Sequence, residues 1–458
     1  MIGSHVAGAP PAAGFAERSR TLALWAARAV LYLAVSAAVG ARGGGDAGFV
    51  RLLADGHAIL AGRGFLGHFD VLSSVLYAAI ERGAGFAGLA SFGAFCAIAM
   101  LALVEAQARE CGAEPAWALA AAAGAALLSI GTLSTDGGSF AWLPAAAFVL
   151  VLTGNDKRRW IVAALLAWAW AASSWLGAAA PALALAAALG RRDRTLLAIA
   201  AASAVAIFLT PAGSALPKEA LAHLSVEGAG VALVWQPDAV SGLAYRFGFI
   251  PLVIALVCLR LPRLADWPAV SLVLALSLAA GTALPLAGIV ILPCLVGAVE
   301  APAGRGPFGR TLALQALAVA LPCALLAPFV TSIAAKAGVA PALPFALVER
   351  LADRRAGRTL VFCRPAEWCA LVDALGRDDI RAFTSDRIGM LDEAHMLDQA
   401  RIAAARPSWR AAVARTGINA ILIANTAGFA TLLALQPDWH AVARSERATL
   451  FLRERAAR

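Results

Sequence analysis

Apolar residues run in long blocks from Thr21 to about Ile333, broken by short polar loops; from about Ala340 they give way to short apolar runs alternating with charge. The first pattern predicts membrane-spanning helices, because a segment crossing a bilayer must satisfy its own backbone and show apolar side chains to lipid. In order the blocks are 21–40, 86–106, 116–133, 140–153, 160–175, 176–189, 195–209, 243–259, 268–282, 284–299 and 311–333. They define an all-α polytopic membrane bundle over residues 21–335, with about 11 transmembrane helices. Several blocks are short and rich in Ala and Gly, and small residues let helix backbones approach closely. The first block is too long for a removable signal peptide and lacks a cleavage signal, so it reads as an anchor.

The second pattern predicts a small C-terminal α/β domain over 340–458, of a size that supports its own core. Strands are expected at 358–363, 380–384 and 420–423, helices at 366–375, 390–404, 408–415 and 426–435, and a closing hairpin from 439–442 and 449–453. No Gly-rich phosphate loop and no G-x-S-x-G elbow is present.

Charge orients the bundle. Arg18 and Arg20 precede the first block, and Arg109, the run Lys157-Arg158-Arg159, Arg191, Arg192, Arg194, Arg260, Arg263, Arg305 and Arg310 fall in alternate loops. Basic loops stay in the cytoplasm, so residues 1–20 are expected inside. The loops 41–83, 134–139 and 210–242 and the C-terminal domain are then outside. Arginine is far commoner than lysine and alanine is abundant, which fits a GC-rich bacterial genome; the protein is expected in the inner membrane with its C-terminal domain periplasmic. The net charge of +9 is therefore a topology signal, and nucleic acid is excluded as a partner. A composition that is 61% hydrophobic excludes a soluble protein. The blocks hold almost no charge and no pair of broken helices, which argues against a transporter. Cys96, Cys258, Cys294 and Cys323 sit inside apolar blocks as small hydrophobes. Cys363 and Cys369 lie close together in the tail without a His partner, so they make no zinc site; they can pair if the tail is in an oxidising compartment, and two free thiols are the state expected.

Residues 43–74 are the longest polar-studded interval in the first half of the chain. Phe49, Leu52, Leu53, Ile59 and Leu60 share one side of a short amphipathic helix, with Arg51, Asp55 and His57 elsewhere, and such a helix lies flat at a bilayer surface. Asp46 and Asp70 bracket it, where a lipid-borne headgroup would lie. Asp46 also suits an N-cap. His68 and Asp70 can share a proton or a metal, or form a polar turn into the next helix. Asp136 lies in a Gly-Gly turn that can face the same space. Trp235, Gln236 and Asp238 can grip a sugar or a headgroup, although an interfacial Trp also serves as a membrane anchor. Arg246, at the mouth of a block, can hold a phosphate or snorkel. Lys218, Glu219, His223 and Glu227 read as a solvated helix face. Asp386 and Arg387 follow a strand, where α/β domains place ligand contacts, and a salt bridge between them serves equally well.

These residues resemble a known group. The early Asp46 followed by Gly56, Ile59-Leu60, Gly64, Asp70 and Ser73 is similar to the first outward loop of bacterial multi-pass proteins related to the GT-C glycosyltransferases. Trp235-Gln236-Pro237-Asp238, Leu284-Pro285 through Pro293, 383–387, Trp409 with Arg415, 418–423 and Pro437-Asp438-Trp439 ending in Leu450-Phe451-Leu452-Arg453 follow the group's order. The resemblance implies a GT-C-like fold and a polyprenyl-phosphate-linked sugar as donor, transferred to a lipid or polysaccharide acceptor. It further implies that Asp46 is a general base, or a ligand of a divalent ion, Mg or Mn, that neutralises the donor phosphate. The chain departs from the group at Gly48, Leu52, Val234, Thr282 and Ser385-Asp386-Arg387, and it lacks a His-Glu-Trp element. Those departures support an alternative, a catalytically inactive GT-C-like scaffold or partner-binding protein of the cell envelope.

Overall fold

The computed structural model describes residues 11–41, 47–62, 70–129, 138–154, 159–233, 264–297, 344–353, 358–364, 368–374, 379–383 and 393–453. Eleven α-helices precede the tail among the described residues: α1 Pro11–Ala41, α2 Ala47–Leu60, α3 Val71–Glu110, α4 Pro115–Ser129, α5 Gly138–Thr153, α6 Arg159–Ala171, α7 Ala180–Arg191, α8 Arg194–Phe208, α9 Ala215–Leu233, α10 Trp267–Ala279 and α11 Leu284–Gly297. Arg18–Val39 and Ser91–Glu110 are long and apolar enough to cross a membrane alone, and seven shorter apolar helices accompany them. The expected blocks 243–259 and 311–333 lie outside the described residues.

Small residues bring these helices together. A Cβ on Gly288 would meet the Ala125 backbone at 2.8 Å, and one on Gly177 the Ala171 backbone at 2.3 Å. The core is mostly Ala, Leu, Val and Ile from α3, α4, α5, α7 and α11. Apolar side chains on the outer faces stay uncovered, among them Leu22, Trp25 and Leu33 on α1, Ile161 and Leu165 on α6, and Val205 and Phe208 on α8. A contiguous apolar exterior of this kind suits lipid.

Helix ends sort by charge. Arg20 pairs with Glu114 at 3.2 Å, Arg159 with Asp193 at 2.8 Å and Arg191 with Asp266 at 3.0 Å. Arg159 and Arg191 both donate to the Leu152 carbonyl. A small cavity lined by Gln107, Leu152, Arg191, Asp266 and Cys294 gathers the ends of α3, α5, α7, α10 and α11 there. Among the described residues, Arg20, Arg159, Arg191 and Asp266, which flank loops read from the sequence as cytoplasmic, thus share one end of the bundle.

The structure corrects the sequence reading at three places in the bundle. Residues 71–83 are the first arm of α3 and form no loop. The arm breaks at Gly85 (φ 63°, ψ −164°) and folds back, so that the Tyr77 and Phe92 rings meet edge-on at 5.6 Å. A Cβ at Gly85 would meet nothing within 4 Å, so glycine is needed there for backbone conformation alone. Gly85→Ala is expected to cost about 1–3 kcal/mol, read as a lower melting temperature of the detergent-solubilised protein. Second, the nearly uncharged spans do carry buried charge: Glu105 of α3, 4% exposed, is held by both Arg28 of α1 and Arg109. Third, His223 is buried, so α9 does not present a wholly solvated face.

In the tail, a helix α12 (Phe345–Asp353) precedes β1 (Thr359–Arg364), α13 (Cys369–Ala374), β2 (Ile380–Ala382), α14 (Glu393–Ala403), α15 (Trp409–Thr416), β3 (Ala420–Ala424), α16 (Gly428–Ala434), β4 (Trp439–Arg444) and β5 (Ala448–Arg453). The sheet order is β2-β1-β3-β5-β4; β1 pairs in parallel with β2 and β3, and β5 runs antiparallel to β3 and β4. Strand side chains alternate between faces. Val361, Cys363, Leu422 and Leu450 meet α12 and α13 on one face, while Phe362, Ile421, Ile423 and Phe451 meet α14, α15 and α16 on the other.

Cys363 and Cys369 are joined as a disulfide, contrary to the expected free thiols. The strand-to-helix turn brings their Cα atoms to 5.4 Å, within bridging range, and their separation along the chain does not reveal that approach.

Asp398 on α14 is buried and pairs with Arg415 on α15 and with Arg401. The hydrogen bond from Arg415 holds its carboxyl below the usual carboxylate range. A carboxyl with a lowered folded-state pKa contributes stability that is present above about pH 4 and is lost as pH falls through the folded value. The tail is therefore expected to lose stability on acidification below about pH 4. Asp398→Asn should flatten that part of the stability–pH curve, measured by unfolding the full chain at a series of pH values.

Candidate active site

Of the residues singled out in the sequence, the structure describes Asp70; Asp46, His68, Asp136, Trp235, Gln236, Asp238, Arg246, Asp386 and Arg387 lie outside the described residues. Asp70 occupies the residue before α3 with φ −96° and ψ 23°. Its side chain makes no capping hydrogen bond there, although its carbonyl accepts from the Ser74 amide at 2.9 Å. The residue is 7% exposed. An Asp at a helix start ordinarily stabilises it by capping, and that role does not account for Asp70.

Two contacts fix the start of α3. The Leu72 amide donates to the Ala172 carbonyl at 2.9 Å, and the Ser73 hydroxyl donates to the Ser173 carbonyl at 3.4 Å. The turn after α6 is thereby held beside Asp70. Ser174 caps the 3-10 turn Trp175–Ala179 by accepting from the Leu176 amide. Trp175 then stacks on His223 of α9, with ring centroids 5.0 Å apart and planes 6° from parallel. The path from Asp70 through 172–175 to His223 is thus continuous.

Helix α2 lies across the first arm of α3. A Cβ on Gly56 would fall 2.0 Å from the Ser74 carbonyl oxygen and 2.7 Å from the Ala78 Cβ, so only glycine allows this crossing. Leu52 packs with Tyr77 and Leu89, with Phe92 and Phe140 against them. Phe140 lies in the first turn of α5. His57 bonds Glu81 through Nε2 at 3.0 Å and accepts from the Arg82 Nε at 3.1 Å through Nδ1. With Nδ1 accepting, the proton sits on Nε2 and is given to Glu81. Asp55, read from the sequence as off the apolar side, is 8% exposed with Oδ2 withdrawn from solvent.

Asp55, Glu81 and His223 belong to this end of the bundle and were not marked as candidates. Asp55 has a usable signal: on a helix flat at an interface, an acid flanked by Ala54 and Gly56 faces a close crossing. No local signal marks the Trp175–His223 stack. The tail reaches the same end, because α13 packs on α2. Among the described residues no cluster of three or more His, Cys, Asp or Glu side chains is arranged to hold a metal ion.

The fold is that of the GT-C glycosyltransferases, the group the sequence resembles. Over 86% of this chain and 69% of the other, it is similar to the archaeal oligosaccharyltransferase AglB from Archaeoglobus fulgidus, solved with an inhibitory peptide and a dolichol-phosphate, at TM-score 0.54 and 10% identity. ArnT from Cupriavidus metallidurans bound to undecaprenyl phosphate is similar over 94% of this chain and 97% of its own, at TM-score 0.50 and 13% identity. The apo state of the same ArnT gives 95%, 98%, 0.51 and 13%. At these identities the likeness is one of fold. No protein-family model and no curated protein sequence matches the chain.

Proposed function

We propose that this chain is a membrane glycosyltransferase that moves a sugar from a polyprenyl-phosphate donor to a lipid or polysaccharide acceptor at the periplasmic face of a bacterial inner membrane. The observation that carries the reading is the placement of Asp70, a buried acid where the start of α3 meets the turn at 172–174. That meeting place lies at the end of the bundle away from the Arg159 and Arg191 pairs. Basic ends remain in the cytoplasm, so Asp70 and the tail face the periplasm and the N-terminus faces the cytoplasm.

The fold supports a lipid-linked donor, since AglB was solved with a dolichol-phosphate and ArnT with undecaprenyl phosphate. In the transfer, the acceptor oxygen forms a bond to the anomeric carbon while the bond from that carbon to the phosphate oxygen breaks. Polyprenyl phosphate leaves with the electron pair, and the acceptor proton passes to a carboxylate. Asp70 and Asp46 are assigned that role, with His68 as the proton partner of Asp70. Trp235, Gln236, Asp238, Arg246 and Asp136 are assigned to donor and acceptor, and Asp386 and Arg387 to a contact from the tail. A divalent Mg or Mn ion, if bound by these acids, would neutralise the donor phosphate. Deleting the gene should remove one sugar from a glycolipid or surface polysaccharide, seen by mass spectrometry as the loss of one hexose- or pentose-sized mass. An unchanged glycan profile would favour the scaffold reading.

A further inference from the structure

Cys363 near the end of β1 and Cys369 at the start of α13 are bridged, and both are buried in the face of the sheet that α12 covers. Helix α13 is described over Cys369–Ala374, and a helix shorter than about 12 residues is stable only with tertiary support. Trp368, Leu371 and Val372 pack it inward, and the bridge ties its first residue to β1. Its other neighbour is α2, the helix whose Gly56 sits against the Ser74 carbonyl. Among the described residues, a covalently fixed, otherwise marginal helix is thus a surface through which the tail rests on the bundle.

We infer that the Cys363–Cys369 bridge is the clasp of this interface, and that the outward end is completed only after a disulfide-exchange oxidant has acted on the exported tail. One cysteine thiolate attacks a sulfur of the oxidant's disulfide, forming a mixed disulfide and expelling one oxidant thiolate. The second cysteine thiolate attacks the protein sulfur of that mixed disulfide and expels the other. One disulfide forms as one is consumed; two electrons pass to the oxidant, and the two cysteine protons end on its thiols. Such chemistry is available outside the cytoplasm. The inference needs no catalysis by the protein and is read without substrate.

The test uses the full chain, purified from bacterial membranes into nanodiscs. Maleimide labelling after denaturation should miss Cys363 and Cys369 until a phosphine reductant is added, and then mark both. In the Cys363→Ala/Cys369→Ala protein, amide hydrogen exchange should quicken at least tenfold across 369–374 and 47–60, while 420–453 keeps its protection. Reducing the folded wild-type protein should give the same pattern. Labelling without reductant overturns the inference. So does unchanged exchange in 47–60 after reduction or in the variant. Loss of protection throughout 420–453 also overturns it, because the bridge would then hold the whole domain and not the interface.

Discussion

Asp70→Asn is expected to lower sugar transfer by about a hundred- to ten-thousandfold, the range for losing a positioned acid–base group. The substitution keeps shape and removes the charge. Asp70 makes no side-chain cap for α3, so the helix start should survive and the loss should fall on turnover. Purified variant and wild type would be compared for release of polyprenyl phosphate from the lipid-linked sugar that the deletion strain accumulates. Asp46→Asn belongs in the same assay. Transfer at the wild-type rate in both variants would remove these carboxylates from the mechanism.

Glu105→Ala should be the most destabilising single change in the bundle, costing about 3–5 kcal/mol because it strands a buried partner charge. Glu105 accepts from Arg28 through both oxygens and from Arg109. The Arg28 side chain is 13% exposed and Arg109 50%, so the burden falls on Arg28, which has little water to turn to. Replacing both partners by apolar residues, Arg28→Met with Glu105→Leu, should recover most of the loss, since no charge is then left unpaired. Thermal unfolding in detergent separates the outcomes. If Glu105→Ala melts with the wild type, the pair contributes nothing to joining α1 and α3.

The tail was the most legible part of the chain. The run from Arg358 to Cys363 alternates for a sheet with two covered faces, and β3 and the β4–β5 hairpin fall within a residue or two of their expected bounds. Helix α12 went unread although Leu347, Val348 and Leu351 carry the spacing of one buried face. In the bundle, hydropathy located the apolar helices that the structure describes, because lipid imposes that pattern on each one separately. It could not show the fold-back at Gly85, since 71–84 is too polar to mark a span and too helical to be a loop. Nor could it show Arg28 meeting Glu105, Trp175 meeting His223, or Gly56 meeting Ser74. Those contacts join residues far apart in sequence, and they exist only once the bundle has closed. The candidate interval, 43–74, stands out in the sequence by its polar positions and its acids. The partners of that interval came from packing.

The central claim is that the lipid carrier binds at the end of the bundle where Asp70, the turn at 172–174 and α9 converge. Photo-crosslinking the full chain in nanodiscs with a diazirine analogue of undecaprenyl phosphate, labelled next to the phosphate, tests it most directly. The account predicts adducts within 70–82, 172–175 and 215–223, competed away by unlabelled undecaprenyl phosphate. Adducts confined to the end holding Arg159, Arg191 and Asp266, or scattered without competition over the apolar outer faces of α1, α6 and α8, would contradict it.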